Sequence, residues 1–212
     1  MHIPDGFVNI PVAAATYVVS GGSLAYAVRR TNEELGEKQV PLMGVMGAFI
    51  FAAQMLNFPV AGGTSGHLIG AALATILLGP WAGMLIMTSV LAVQALIFQD
   101  GGLVALGANV FNMSVVACLV SHYAFTWLKR LLGEGTRGAM ISGFGAAWAS
   151  VVAAAIACAL ELAISGTSAL AVVLPTMTLI HILIGIGEGL ITVAVLAFLA
   201  ATRRDLLQLR PN

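Results

Sequence analysis

The chain has 212 residues, of which 59% are hydrophobic and only 8% are charged, whereas an average soluble domain has roughly 25% charged residues. With a mean hydropathy of +0.99, this composition excludes an ordinary soluble domain and indicates an integral membrane protein. Nine basic and nine acidic residues leave no formal net charge, so the chain offers no basic surface for nucleic acid.

The first seven residues, MHIPDGF, predict a metal-binding strand. We expect Met1 to be retained with a free amine, because a second residue as bulky as His2 hinders removal of the initiator methionine. That amine, the His2 amide nitrogen and the His2 imidazole can close on one metal as two fused chelate rings, which fill three corners of a square. Pro4 lacks an N–H, so the chelate cannot extend past Ile3. Square-planar nitrogen sets are preferred by Ni(II) and Cu(II).

Long apolar runs predict an all-α bundle with seven membrane spans, because about 20 apolar residues are needed to cross a bilayer. The third and fourth spans are separated only by the tight turn at residues 79–81, so a hairpin that does not cross fully is the alternative for this pair. We expect one transmembrane domain over residues 1–212. The predicted spans are residues 7–28, 41–57, 67–79, 81–98, 106–128, 138–164 and 174–201.

The basic residues predict the orientation of the bundle. All nine fall on one side of the predicted membrane, which the positive-inside rule makes cytoplasmic, so the N-terminus is expected outside and the C-terminus inside. The first span has no basic residue ahead of it and two arginines behind it, the reverse of a signal peptide, so we expect it to stay uncleaved. The basic residues are Arg29, Arg30, Lys38, Lys129, Arg130, Arg137, Arg203, Arg204 and Arg210.

The second span and the loop after it carry the next informative residues. Ala48 and Ala52 have a spacing that lets helices pack closely and that also serves docking to another membrane protein. The glycine-rich outer loop that follows, GGTSGH, places His67 in the first turn of the third span, with Thr64 or Ser65 as its cap. A helix N-terminus disfavours a charged imidazole, so His67 should keep the neutral form that a metal requires.

The fifth span begins after a second glycine-rich outer loop. Asn109 and Asn112 lie three residues apart on one helix face and are predicted, together with Ser65, to hydrogen-bond to the ligands of the metal. Asp5 and Asp100 also lie outside, where they could attract a cation, but we expect them to be solvated.

Four further ionisable residues lie in the predicted spans. His122 is expected to anchor the inner interface beside its aromatic neighbours. His181 and Glu188 are seven residues apart on one face of the last span, and Glu161 lies in the sixth span. Ionisable groups in a membrane are functional candidates by default. These three are too few for a proton relay, so we expect structural pairing.

The opening MHIPDGF, the GGTSGH loop and the stretch 99–112 together resemble the CbiM/NikM family, the substrate-binding membrane subunits of energy-coupling-factor transporters for nickel and cobalt. The resemblance covers essentially the whole chain. It implies a seven-helix bundle with the N-terminal strand inserted from outside and a metal held by the Met1 amine, the His2 backbone nitrogen and imidazole, and His67. Pro4 and Asp5 are more similar to the NikM branch, which favours nickel, and a cobalt-specific member is the alternative.

The resemblance also implies partners. The chain would bind Ni(II) or Co(II) as a transport substrate without being an enzyme. It would work in a prokaryotic plasma (inner) membrane with a transmembrane coupling subunit, cytoplasmic ATPases that hydrolyse ATP, and a small accessory membrane subunit. Ala48 and Ala52 are the residues suggested for docking the coupling subunit.

Two other function classes fit the residues less well. A passive metal channel needs a continuous polar path, but charged and amide residues are sparse in the middle of the spans. An intramembrane enzyme needs a nucleophile with its base or a catalytic metal with an open position, and the chain contains no H-E-x-x-H motif.

Overall fold

The computed structural model describes residues 1–36, 39–55, 58–60, 64–133 and 135–207, without the side chains of residues 58–60, 64, 65, 204 and 205. Nearly all of it is helical, and helices α4 and α5, defined below, each continue into a short π-helical segment. The elements are α1 (Ile10–Glu34), α2 (Val40–Gln54), β1 (Phe58–Val60), β2 (Thr64–Gly66), α3 (Ala71–Leu78), α4 (Pro80–Val93) with the π segment Gln94–Phe98, α5 (Leu106–Val110) with the π segment Phe111–Val116, α6 (Ala117–Leu132), α7 (Thr136–Ile164), α8 (Leu170–Thr202) and α9 (Arg204–Leu207).

The predicted all-α membrane protein is confirmed, but the count of seven spans is not. Within the described residues, five helical segments are long and apolar enough to cross a bilayer. The other two predicted spans are short: α2 has 15 residues and α3 has eight, which at 1.5 Å per residue is about 22 Å and about 12 Å. The five are α1, Pro80–Phe98, Leu106–Leu132, α7 and α8.

The third predicted span is therefore wrong in length and in its starting residue. Helix α3 begins at Ala71 after the N-cap residue Gly70, and all eight of its residues are buried. His67 lies ahead of the helix instead of in its first turn. An apolar run this short is equally expected for a helix buried in protein, which is why hydropathy alone mistook it for a span.

No β-strand forms at the N-terminus. Residues 1–9 precede α1 without regular structure, and the strands in the described chain are β1 and β2, a short antiparallel hairpin that pairs Phe58 with Gly66. A strand needs a neighbouring strand for its backbone groups. Residues 1–5 meet side chains and a loop instead, as described below.

The two ends of the bundle differ in charge. The start of α1 lies against the α7–α8 connection, where Thr167 donates a hydrogen bond to the Phe7 carbonyl and Asn9 donates one to the Ile164 carbonyl. The opposite end holds the C-termini of α1, α6 and α8 and the N-terminus of α7. All the basic residues of the described chain lie there, whereas Lys38 and Arg210 fall outside the described residues. At this end are Arg29, Arg30, Lys129, Arg130, Arg137, Arg203 and Arg204.

Helices α7 and α8 pack closely because glycines on α8 admit large side chains from α7. A Cβ atom on Gly189 would lie 2.6 Å from the Phe144 ring, and one on Gly185 would lie 3.0 Å from the Trp148 ring. The Trp148 indole N–H donates to the Ile182 carbonyl at 3.2 Å.

We expect Gly189→Ala to destabilise the protein by about 1–3 kcal/mol, because the added methyl group overpacks the contact with Phe144. Gly187→Ala is the matched control on the same helix, since a Cβ there meets nothing within 4 Å. Thermal unfolding in detergent measures both. Equal melting temperatures for the two variants would contradict the packing described for α7 and α8.

Candidate metal centre

The N-terminal residues are buried in the half of the bundle opposite its basic end. Met1 is 1% exposed, His2 5% and Ile3 1%. The Ile3 N–H donates to Asn109 Oδ1 at 2.8 Å, and Asn109 Nδ2 donates back to the Ile3 carbonyl at 3.1 Å. Gly102 N–H donates to the same carbonyl at 2.9 Å. Since the Ile3 N–H is engaged in this way, His2 carries the last backbone nitrogen that a chelate starting at the terminal amine can use.

Asp5 fastens this segment to the loop of residues 99–105. Its carboxylate accepts hydrogen bonds from the backbone N–H groups of Leu103, Val104 and Ala105 at 3.0, 2.7 and 3.1 Å. A Cβ on Gly102 would lie 2.0 Å from the Asp5 carboxylate, so only glycine lets the loop approach this closely. Asp5 was expected to be solvated, but it bridges two segments of the chain.

The His2 imidazole lies between a glutamine and an aspartate. Its Nε2 is 3.0 Å from Gln94 Oε1, and its Nδ1 is 3.4 Å from Asp100 Oδ1. Burial, and then the charge of the terminal ammonium group, lower the pKa of His2 from 6.5 to about 4. The ring is therefore neutral at neutral pH, as metal ligation requires.

His67 meets His2 at the centre of the site. The centroids of the two rings are 4.6 Å apart and their planes are inclined by 20°. His67 is fully buried, and its Nδ1 lies 2.6 Å from the Leu68 carbonyl oxygen. Among the described residues no hydrogen-bond partner meets His67 Nε2 or His2 Nδ1. Each imidazole thus has one nitrogen in a hydrogen bond and one without, and Asp100 Oδ1 lies 3.4 Å from the second nitrogen of His2.

The turn that carries His67 is held by a carboxylate from α8. Glu188 accepts hydrogen bonds from the N–H groups of Ile69 at 2.6 Å and Gly70 at 2.7 Å. Gly70 has a φ of +82°, and a Cβ there would lie 2.8 Å from the Ile50 side chain, so the turn requires glycine. Two charge-assisted hydrogen bonds make this position of His67 rigid.

The terminal amine of Met1 completes the group. Burial lowers the pKa of this amine from 8.0 to about 5, although nearby Cys158 and Asp100 oppose the shift. The amine is therefore neutral at pH 7 and can donate its lone pair to a metal. Among the described residues, no three His, Cys, Asp or Glu side chains converge in a metal-binding group. The candidate ligands at this centre are therefore the amine and backbone nitrogens together with the imidazoles.

The remaining predicted residues lie at varied distances from this centre. Asn112 donates to Glu161 at 2.6 Å, one turn along from Asn109. The side chain of Ser65 falls outside the described part of the chain. Ala48 and Ala52 are exposed on α2, and Ala48 lines a groove between α2 and α4.

The other ionisable residues are also placed. His181 is buried in α8, with its Nδ1 2.7 Å from the Met177 carbonyl, and His122 packs edge-on against Tyr123. Glu188 pairs with backbone N–H groups rather than with His181.

Sequence reasoning missed Gln54 and Gln94, which are fully buried beside the site. Gln94 Nε2 donates to Gln54 Oε1 at 2.9 Å, and Gln54 Nε2 donates to the Ile69 carbonyl at 2.6 Å. An amide inside an apolar run was the available signal, because a buried polar group needs a partner. Gln94 also begins a π-helical segment, and such segments are frequent at functional sites.

Comparison with known proteins identifies the family. Residues 2–206 match the family model for the cobalt uptake substrate-specific transmembrane region, CbiM. The chain belongs to the CbiM family. The family's members include nickel and cobalt transport proteins of the membrane, as the CbiM/NikM resemblance of the sequence predicted.

Relatives in the CbiM family bear nickel and cobalt names. The chain is 44% identical to a putative fused nickel transport protein, NikMN, of Archaeoglobus fulgidus over 98% of its own length and 68% of that protein. It is 31% identical to the cobalt transport protein CbiM of Sorangium cellulosum over 98% of its length and 94% of that protein. The crystal structure of a truncated transition metal transporter superposes with a TM-score of 0.87 at 34% identity, covering 95% of this chain and 99% of that one.

We expect Asp5→Ala to loosen the loop over His2, because three backbone N–H groups lose their carboxylate. Losing a charge-assisted hydrogen bond costs about 1.5–3 kcal/mol, so amide exchange at residues 103–105 should rise by about 10-fold or more. Hydrogen–deuterium exchange of the metal-free protein measures this. Glu33→Ala, which removes a half-exposed carboxylate at the far end of α1, should leave these amides unchanged. Unaltered exchange in Asp5→Ala would contradict the bridging role.

Proposed function

We propose that this chain captures Ni(II) as the substrate-binding subunit of an energy-coupling-factor uptake transporter. The four ligands are the Met1 amine, the His2 amide nitrogen, His2 Nδ1 and His67 Nε2. The observation that carries the proposal is the burial of all three residues around two imidazoles, of which His2 Nδ1 and His67 Nε2 have no hydrogen-bond partner among the described residues. Buried polar atoms without partners are costly, and a metal ion satisfies both.

The ring distance supports ligation at neighbouring corners of one plane. With metal–nitrogen bonds of roughly 2 Å, two imidazoles that bind at right angles have their centroids roughly 4.5 Å apart. The His2 and His67 centroids are 4.6 Å apart. The chelate of Met1 and His2 fills three corners, and His67 then occupies the fourth.

Charge balance assigns a further task to Asp100. Ni(II) replaces the proton of the His2 amide, so the metal with its four nitrogens carries a single positive charge. Asp100 lies beside His2, and its Oδ2 is buried without a hydrogen-bond partner among the described residues. A carboxylate in that position neutralises the complex, which matters because an uncompensated buried charge is costly.

Nickel is favoured over cobalt by the shape of the ligand set. A square-planar arrangement of nitrogens is typical of Ni(II) and Cu(II). Cu(II) is expected to bind at least as tightly, so selection in the cell depends on which metal is available. A cobalt-binding function is the second candidate, because relatives are named for each metal. Competition between Ni(II) and Co(II) for the purified protein separates the two.

The proposal includes the surroundings of the subunit. The basic end of the bundle faces the cytoplasm by the positive-inside rule, so the N-terminus and the metal site face outward. Helices α2 and α3 complete a single transmembrane domain of seven helical segments. The partners are a transmembrane coupling subunit, ATPase subunits that supply the energy for release, and a small accessory membrane subunit. Ala48 and Ala52, exposed on α2, are the proposed docking residues for the coupling subunit.

Blocking the amine or removing the imidazole should abolish tight nickel binding. We expect His2→Ala, and separately a Gly-Ser extension ahead of Met1, to lower nickel affinity by about 100-fold or more, since each removes a chelate ring. Nickel content after dialysis and the absorption band of planar Ni(II) measure the loss. His122→Ala, at the other end of the bundle, should bind like the unaltered protein. If both altered proteins keep full affinity, the chelate is wrong and a passive channel or an enzyme becomes the better candidate.

The pH dependence of binding should differ from that of the free peptide Met-His-Ile. Because the folded pKa of the amine, about 5, lies below its ordinary value of 8.0, the neutral amine is present at pH 7 and is lost only as the pH falls through about 5. Nickel binding to the protein should therefore release about one proton, from the amide, between about pH 6.8 and 7.5. The peptide should release about two. Affinity titrations across this range count the protons, and a count of two for the protein would contradict burial of the amine.

A further inference from the structure

Three hydrogen bonds link the turn that carries His67 to His2 through two buried glutamines. This chain of bonds runs from the Ile69 carbonyl to Gln54, from Gln54 to Gln94 and from Gln94 to His2. A separate hydrogen bond within the turn joins His67 to the Leu68 carbonyl. Gln54 is the last residue of α2 and Gln94 the first of the π segment after α4. The residues they connect are 92 and 40 positions apart in sequence.

The direction of every bond in this chain is fixed by its first member. A backbone carbonyl only accepts, so the atom of Gln54 that faces Ile69 is its Nε2, and Oε1 faces Gln94. Gln94 must therefore present Nε2 to Gln54 and Oε1 to His2. An amide oxygen also only accepts, so the His2 nitrogen that faces it, Nε2, carries the proton. His2 Nδ1 is then left with a lone pair.

This tautomer is the one that the chelate needs. A metal bound to the Met1 amine and the His2 amide nitrogen is reached by Nδ1, which is the ring nitrogen next to the attachment of the side chain. Nε2 lies on the far side of the ring and cannot close the second chelate ring. Neutral imidazole has two tautomers, and in a protein the hydrogen bond made by one ring nitrogen decides which of them is present.

His67 is set in the opposite sense by the neighbouring carbonyl. The Leu68 carbonyl accepts from His67 Nδ1–H, which leaves the lone pair on Nε2. Two successive carbonyls of one turn, those of Leu68 and Ile69, thus fix the tautomers of both imidazoles. Glu188 holds that turn by the N–H groups of Ile69 and Gly70.

We propose that Gln54 and Gln94 are positioning residues. Their hydrogen bonds, which start at the Ile69 carbonyl, present an acceptor to His2 Nε2–H and so keep His2 Nδ1 unprotonated and directed at the metal. The inference rests on the proposed function for its consequence, nickel affinity. The tautomer itself belongs to the metal-free protein. Mutation of such hydrogen-bonding partners behind a ligand typically lowers metal affinity 10–100-fold.

The experiment compares two substitutions of one residue. Gln94→Leu and Gln94→Glu both break the hydrogen bond to Gln54, but the glutamate keeps an acceptor for His2 Nε2–H. We expect Gln94→Leu to lose about 10–100-fold in nickel affinity and Gln94→Glu to lose clearly less. Gln54→Leu frees the Gln94 amide to turn its N–H₂ group toward His2, and should therefore populate the tautomer with a proton on Nδ1. Gln39→Leu, at the other end of α2, is the matched control and should behave like the unaltered protein.

The nitrogen-15 spectrum of labelled imidazoles in the metal-free protein reports the tautomer directly. The chain has four histidines, and the His2 signals are the ones missing from the spectrum of His2→Ala. The expected result is unprotonated Nδ1 in the unaltered protein and in Gln94→Glu, and a mixture in Gln94→Leu and Gln54→Leu. Unprotonated Nδ1 in all of them, or equal losses of affinity for Gln94→Leu and Gln94→Glu, would overturn the inference. Failure of the unaltered protein to bind nickel would overturn the proposed function instead, and the spectrum of the metal-free protein would still decide the tautomer.

Discussion

Burial of the N-terminal amine is the constraint on which the site depends. A buried ammonium group is costly, and burial lowers the pKa of the Met1 amine to about 5, so the neutral form of the amine is the one that is buried. The segment is held there without a strand, because the Asn109 side chain accepts a hydrogen bond from the Ile3 N–H and donates one to the Ile3 carbonyl. Asp5 adds three hydrogen bonds from the loop over His2. The residues of the proposed ligand set are therefore already ordered in the metal-free protein, an arrangement that reduces the entropy lost when a ligand binds.

The turn from His67 to Gly70 is the second organising feature, because it orders both imidazoles at once. The carbonyls of Leu68 and Ile69 accept hydrogen bonds from His67 and Gln54. The N–H groups of Ile69 and Gly70 donate to Glu188. A carboxylate in a membrane helix is a functional candidate by default, and here its task is to hold backbone rather than to bind metal or carry protons. Glu188 of α8 thereby holds the turn that carries His67. The same turn holds His2 through the side-chain amides of Gln54 and Gln94.

The sequence was sufficient for the local chemistry and insufficient for the long-range contacts. Met1, His2 and Pro4 all lie within the first four residues, so the proposed chelate and its limit follow from covalent structure alone. The five long spans follow from hydropathy. Helix α3 does not, because eight apolar residues buried in protein resemble the end of a span. Gln54, Gln94 and Glu188 are single polar residues in apolar runs, and their partners lie 15 to 119 positions away. Only the fold brings such groups together.

The position of Gln54 gives α2 a direct mechanical connection to the metal ligands. This helix ends at Gln54 and, with 15 residues, is shorter than the roughly 20 needed to cross a bilayer. Val45 and Phe49 are exposed on its surface. Hydrogen bonds weaken steeply beyond about 3.2 Å, so a displacement of α2 by roughly 1 Å is enough to break the bond from Gln54 to Ile69. The Gln94 amide is then free to turn, and His2 loses the partner that keeps Nδ1 unprotonated. Under the proposed function, a movement of α2 therefore weakens the binding of a metal that the site at rest holds tightly.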